Sequence, residues 1–345
     1  MNDVKKNKII SWLQENKRLL IGLITIILLV VMIFFVDFPR LIDKIMLIGF
    51  WGTFLFVIFY TVAFNLRAYK LKLIFRGIEQ NISYSTSYFS IGICFTINDL
   101  TPGKIGDFAK MGFIKDQENI KLSESVCGVA IERVLDLILL FLISLFALIY
   151  LYISSINKSR AITLLGQSMQ IYLAIGAILI IGILIFLLLL IYKLEFVLKI
   201  IGKISTKLAD FVARFFINFK EGMKKFKDHK RELIYITLLG ILTWSVDAFI
   251  VVIFFYLSGY HLNIFLLVLA MILKIFSKTF PITPGGWGIS ENVGSLFVYF
   301  FYPHIEFTEI LSIFIIDHLF RSAYLFFYGG YSIFHYNFKI KQVKN

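Results

Sequence analysis

Thr101-Pro-Gly-Lys-Ile-Gly106 and Thr283-Pro-Gly-Gly-Trp-Gly288 decide how the rest of the chain reads. Both follow Thr-Pro-Gly-x-x-Gly, and both interrupt apolar sequence. Proline ends a helix and removes an N–H donor, while glycine takes dihedrals closed to other residues. Two such breaks at membrane depth predict discontinuous helices that meet at a midplane binding site. One break alone would carry little weight; the match of the pair raises it.

The surroundings of the breaks are those of an integral membrane protein. Hydrophobic residues make up 59% of 345, and mean hydropathy is +0.84. The net charge of +13 does not point to nucleic acid, because the basic residues cluster between long apolar runs, as cytoplasmic loops do. Cys94 and Cys127 lie in apolar stretches without metal-ligand spacing and read as reduced, membrane-buried thiols. No nucleotide loop, Asp-x-Asp pair or metal-ligand cluster is present, so no cofactor or metal is expected.

Working outward, the sequence predicts a single polytopic domain over 1–345. Lys5, Lys6, Lys8, Lys17 and Arg18 precede a retained first helix at about 19–36. A turn at Asp37–Lys44 and a helix at about 45–65 follow, with Arg67, Lys70, Lys72 and Arg76 marking the cytoplasmic side. The apolar arms Tyr84–Asn98 and Ile105–Ile114 flank the first break and are shorter than the roughly 20 residues a crossing needs. They predict a re-entrant hairpin. Long helices at about 124–152 and 168–192 come next. Residues 193–231 hold eleven Lys/Arg against four acids and form a cytoplasmic loop. Within it Leu194, Val197, Leu198, Ile201, Leu208, Phe211, Phe215 and Phe219 recur at helical spacing. That amphipathic helix lies either on an anionic membrane surface or against the protein's own cytoplasmic face. A helix at 233–256, a second hairpin from 264 to 302 around the second break, and a last helix at about 307–337 complete the chain. Lys339, Lys341 and Lys344 then place the C-terminus, like the N-terminus, in the cytoplasm.

Helix, helix, hairpin, long helix thus occurs twice, at about 19–152 and 168–337, with opposite orientation. The expected fold is all-α: six spanning helices plus two opposed re-entrant hairpins in an inverted repeat. Each fourth helix carries an ionisable cluster: Glu132, Arg133 and Asp136, and then Asp317, His318 and Arg321. Charges inside a bilayer cost several kcal/mol unless paired or wetted. Each cluster is therefore either a lock between helices or a holder of an anionic group. Lys104 and Asp107 sit where a half-helix begins, and a helix N-terminus suits phosphate. Gly285, Gly286 and Gly288 let backbone approach a ligand, and Ser290 and Glu291 either cap the next arm or meet that ligand. Lys274 and Lys278 line the hairpin entrance or snorkel to the outer interface. Asp247, alone in its helix, requires a partner that the sequence does not name.

Three motifs in order, Asn98-x-x-x-Pro102-Gly103-x-x-Gly106-Asp107, Glu132-Arg133-x-x-Asp136 and Pro284-Gly285-Gly286-x-Gly288-x-x-Glu291, resemble the flippase-like membrane domain of the lysylphosphatidylglycerol synthase family. Lys104 stands where arginine is usual in that family, which keeps the charge but loses bidentate geometry. The resemblance implies movement of an anionic, aminoacylated or polyprenyl-linked lipid between leaflets of the cell membrane. Membrane lipids with a phosphate are then the expected partners, and nucleic acid is not. Two-part family members carry a cytoplasmic aminoacyltransferase domain. The chain stops at Asn345, so that activity is expected to be absent, although the family name points to a lysyltransferase. A membrane transferase and a small-solute transporter are the alternatives.

Overall fold

A computed structural model describes residues 38–101, 104–157, 163–164, 167–168, scattered positions between 176 and 189, 193–226, 228–279 and 283–336. The expected first helix at 19–36, most of 168–192, Pro102, Gly103 and the C-terminal lysines lie outside the described residues.

The helices in chain order are α1 (Phe38–Gly77), α2 (Tyr84–Leu100), α3 (Gly106–Glu118), α4 (Leu122–Asn157), α5 (Leu194–Ile204), α6 (Thr206–Lys225), α7 (Lys230–Leu257), α8 (Ile264–Ser277), α9 (Ile289–Phe301) and α10 (Phe307–His335). A two-residue antiparallel pairing of Thr163–Leu164 with Gln167–Ser168 interrupts this helical order. Helices α1, α4, α7 and α10 are long and apolar enough to cross a membrane. The arms α2, α3, α8 and α9 have 17, 13, 14 and 13 residues. At about 1.5 Å per residue they reach roughly 20–26 Å, short of a hydrocarbon core of about 30 Å.

Helix α1 corrects one expectation. In place of a turn at 37–44 and a helix ending near 65, it runs from Phe38 to Gly77 with a single break at Gly49 (φ 57°). Lysine and arginine are good helix formers and do not by themselves end a helix. Arg67 and Lys70 are buried, at 6% and 2% exposure, because each meets a carboxylate inside the protein. They lie within the helix, past the end expected near 65.

Aromatic packing fixes the frame around the breaks. Phe64 of α1 stacks on Tyr324 of α10 and meets Phe95 of α2 edge-on, with centroids 5.7 and 5.4 Å apart. Thr96 Oγ1 donates to the Leu325 carbonyl at 3.0 Å, where α2 crosses α10 beside Gly329. The outer surface carries Phe50, Trp51, Phe327 and Phe334, each more than 70% exposed, which suits a lipid-facing belt. Of the basic segment, α6 packs on the protein itself. Its Phe216 and Phe219 are buried, Gly222 faces Cys127 and Ile131 of α4, and Lys225 Nζ donates to the Ile78 carbonyl at 3.2 Å. Phe196 and Ile200 of α5 instead stand outward. The side chains of Leu208, Phe211 and Phe215 lie outside the described residues.

Candidate functional site

The two breaks meet. Asn98 Oδ1 accepts from the Gly106 amide at 2.8 Å and closes the first tip, where a Cβ on Gly106 would strike the Cys94 carbonyl. In the second tip Gly285 holds φ +60°, and a Cβ there would stand 2.7 Å from the Asp99 carbonyl oxygen. Glycine is needed at both positions because backbone from another segment passes so close. Lys104 Nζ reaches across to Thr279 Oγ1 at 3.2 Å.

Each charge cluster ion-pairs chiefly within its own half, and among the described residues His318 alone of the six also pairs with a carboxylate of the other. Glu132 pairs with Lys110 of α3, Arg133 Nη2 with Asp107 Oδ1 at 2.8 Å, and Asp136 with Lys70 of α1. In the second half Asp317 Oδ2 meets Lys274 Nζ at 2.8 Å, His318 Nδ1 meets Glu291, and Arg321 Nη1 meets Asp247 Oδ1 at 3.2 Å. Position for position, the long helix holds its hairpin with the first two members and the preceding long helix with the third. Glu291 also takes the Gly288 amide at 2.7 Å and the Ser290 hydroxyl at 2.7 Å, so it occupies the N-terminus of α9. Asp107, in the first turn of α3, occupies the corresponding end. Both half-helix ends thus already carry a carboxylate.

His318 ties the tips together. Its ring stacks on Trp287 at 3.9 Å and 7°, its Nε2 lies 3.1 Å from Lys278 Nζ and 3.5 Å from Asp99 Oδ1, and its Nδ1 faces Glu291.

Beside this junction lies a cavity of about 220 Å³. Lys104, Arg133, Lys274, Lys278, Arg67 and Arg321 line it, against Asp99, Asp107, Asp247 and Asp317. Six cations face four carboxylates, a formal excess of two positive charges. Of the residues singled out from sequence, Asn98, Lys104, Asp107, Arg133, Gly285, Gly286, Asp317 and Arg321 line the cavity. Gly106, Glu132, Asp136, Pro284, Gly288 and Glu291 do not; they shape or brace the tips around it. Pro102 and Gly103 lie outside the described residues.

Sequence reasoning passed over Arg67, Asp99, Trp244 and Thr283, which also line the cavity. Asp99 carried a signal, an acid next to Asn98 and three residues before the Pro-Gly pair. Arg67 carried a contrary one, since it and its basic neighbours read as the cytoplasmic side of a helix ending near 65. Asp247 finds its partners in Arg67 and Arg321, and Lys274 and Lys278 line the cavity rather than snorkel outward.

A hairpin pair braced by buried ion pairs around a cationic cavity defines a polytopic membrane protein with an internal polar site. The chain belongs to the lysylphosphatidylglycerol synthase TM region family, whose match covers residues 19–329. It is 23% identical over 299 residues to the UPF0104 membrane protein PH1989 of Pyrococcus horikoshii, covering 81% of this chain and 86% of that protein. It is 28% identical over 195 residues to the UPF0104 membrane protein MJ1078 of Methanocaldococcus jannaschii, covering 56% of this chain and 75% of that one. A third relative is named Glycosyltransferase AglD, of Haloferax volcanii, at 22% identity over 288 residues, 77% of this chain but 46% of that protein. No solved structure matches the chain significantly.

Proposed function

We propose that the protein moves an anionic, aminoacylated or polyprenyl-linked lipid between leaflets, with the phosphate of that lipid held in the cavity where the two tips meet. The observation that carries this reading is the cavity's excess of cations at the junction of two helix breaks. Uncompensated charge at membrane depth is costly, and an anionic cargo offsets it. Lys104 and Arg133 supply charge from the first half, and Lys274, Lys278 and Arg321 from the second. Acyl chains would stay in the bilayer while the headgroup crosses through protein.

The same reading sets the topology. Two further spans at 19–36 and 168–192 bring the four long helices to six, and the hairpins enter from opposite faces as an inverted repeat. The parallel bracing of Glu132-Arg133-Asp136 and Asp317-His318-Arg321 supports the repeat. Both termini and the basic segment 193–231 then face the cytoplasm at the cell membrane. Phe196 and Ile200 of α5, flanked by Lys193, Lys199 and Lys203, rest on the anionic lipid surface.

Translocation of headgroup-labelled phosphatidylglycerol in proteoliposomes tests the site. Lys104→Ala and Arg133→Ala are expected to slow it at least tenfold. Wild-type rates in both variants would sink the assignment. Labelling of cysteines placed at Asn263 and His304 from the cytoplasmic side would overturn the topology.

A further inference from the structure

Two residues that line the cavity, Arg67 and Trp244, carry buried donors with no partner among the described residues. Arg67 is 94% buried by its 6% exposure, and its guanidinium pairs with Asp247 through Nη2. Its Nη1 is buried and has no hydrogen-bond partner among the described residues. The same guanidinium lies 5.7 Å from the Trp244 ring, whose Nε1 is likewise buried without a partner. Trp244 stands one turn before Asp247 on α7, so both groups reach the cavity from the same helix face. An orphaned buried donor is destabilising, more so when charged, and native proteins seldom leave two on neighbouring side chains.

The local charge names the ligand class. Arg67, Arg321 and Lys274 surround Asp247 and Asp317, with Arg321 Nε 2.7 Å from Asp317 Oδ1 and Lys274 Nζ 2.8 Å from Asp317 Oδ2. Three cations against two carboxylates leave one positive charge. A single negative charge balances it, and an oxyanion with two open acceptors satisfies both donors.

From this juxtaposition we propose that Arg67 and Trp244 form a subsite for one singly charged phosphodiester, the linkage inside a phospholipid headgroup. The proposal rests on the lipid-handling reading above and locates the charge it handles. The Thr283 hydroxyl, 3% exposed and also without a partner among the described residues, offers a third polar contact in the same cavity.

The test measures binding apart from transport. The purified full chain in neutral maltoside micelles is titrated with dioctanoyl phosphatidylglycerol, with dioctanoylglycerol and with sodium phosphate, and binding is followed by thermal shift. Phosphatidylglycerol is expected to bind at least tenfold more tightly than the other two. Trp244→Phe keeps the ring and removes the donor; Arg67→Lys keeps a charge for Asp247 and removes the second N–H. Each is expected to weaken binding of the lipid about tenfold. Trp244→Phe, the milder change, remains informative if Arg67→Lys fails to fold. Lys115→Ala, on an exposed surface, is expected to leave binding unchanged. Inorganic phosphate binding as tightly as the lipid would overturn the lipid source. Unchanged lipid binding in Trp244→Phe would overturn the subsite while translocation by the wild type leaves the broader reading intact. Donor-dependent binding with no translocation by the wild type would support the subsite and remove the transport reading.

Discussion

Lys110 and Glu132 separate bracing from cargo binding. Both side chains are buried, at 0% and 3% exposure, and they pair between α3 and α4. Replacing Lys110 with Met strands a carboxylate in the protein interior. Breaking a buried pair from one side costs about 3–5 kcal/mol. Some attraction survives, because Arg133 Nη2 lies 3.9 Å from Glu132 Oε2. A unit pair at that distance is worth about 4 kcal/mol at an effective dielectric near 20, but Arg133 is already engaged by Asp107 at 2.8 Å. The expected loss therefore falls at the low end, about 3 kcal/mol. Adding Glu132→Leu removes the stranded charge, and the double variant should return to within about 1 kcal/mol of wild type. Equilibrium unfolding in mixed micelles reads both values, and lipid translocation by the double variant should persist. A single variant within 1 kcal/mol of wild type would refute the reasoning, as would a double variant no better than the single.

Two further outcomes follow from local geometry. Gly285→Ala should destabilise the fold by about 1–3 kcal/mol, since φ is +60° and the new Cβ would press on the Asp99 carbonyl; Gly112→Ala, with nothing within 4 Å, serves as a harmless comparison in the same thermal melts. Glu118 accepts from the Ser83 amide at 2.9 Å; burial pushes its carboxyl up, but hydrogen bonds from Thr86 and Ser83 outweigh that and hold it below the usual range. A depressed folded pKa means stability present above the unfolded value, about 4.3, and lost as pH falls through the folded one. Melting curves of wild type and Glu118→Gln should differ at pH 7 and converge toward pH 3; a gap that stays constant with pH would count against the carboxylate.

The all-helical class and the order of the helices around the breaks were legible in the sequence. The paired Pro-Gly breaks announced two split helices, and they appear as α2–α3 and α8–α9. The clusters after each hairpin announced buried charge, but whether they bound cargo or braced helices depended on partners far away in sequence. Glu132 and Asp136 turn out to be braced by Lys110 and Lys70, while Asp317 and Arg321 both brace and line the cavity. Arg67 misled because a cation after an apolar run looks the same whether it meets water or a carboxylate. Its partner Asp247 lies 180 positions along the chain, beyond the reach of any local pattern. Lys70 carries the same ambiguity, and the helix continues past both to Gly77.

The imidazole of His318 belongs to α10, yet its contacts are Trp287 within the second break, Glu291 beyond it, Lys278 before it, and Asp99 at the edge of the first. One ring is thus a keystone for two arches. Neither hairpin can withdraw without loosening its hold on that ring, so their movements are bound to be felt by each other.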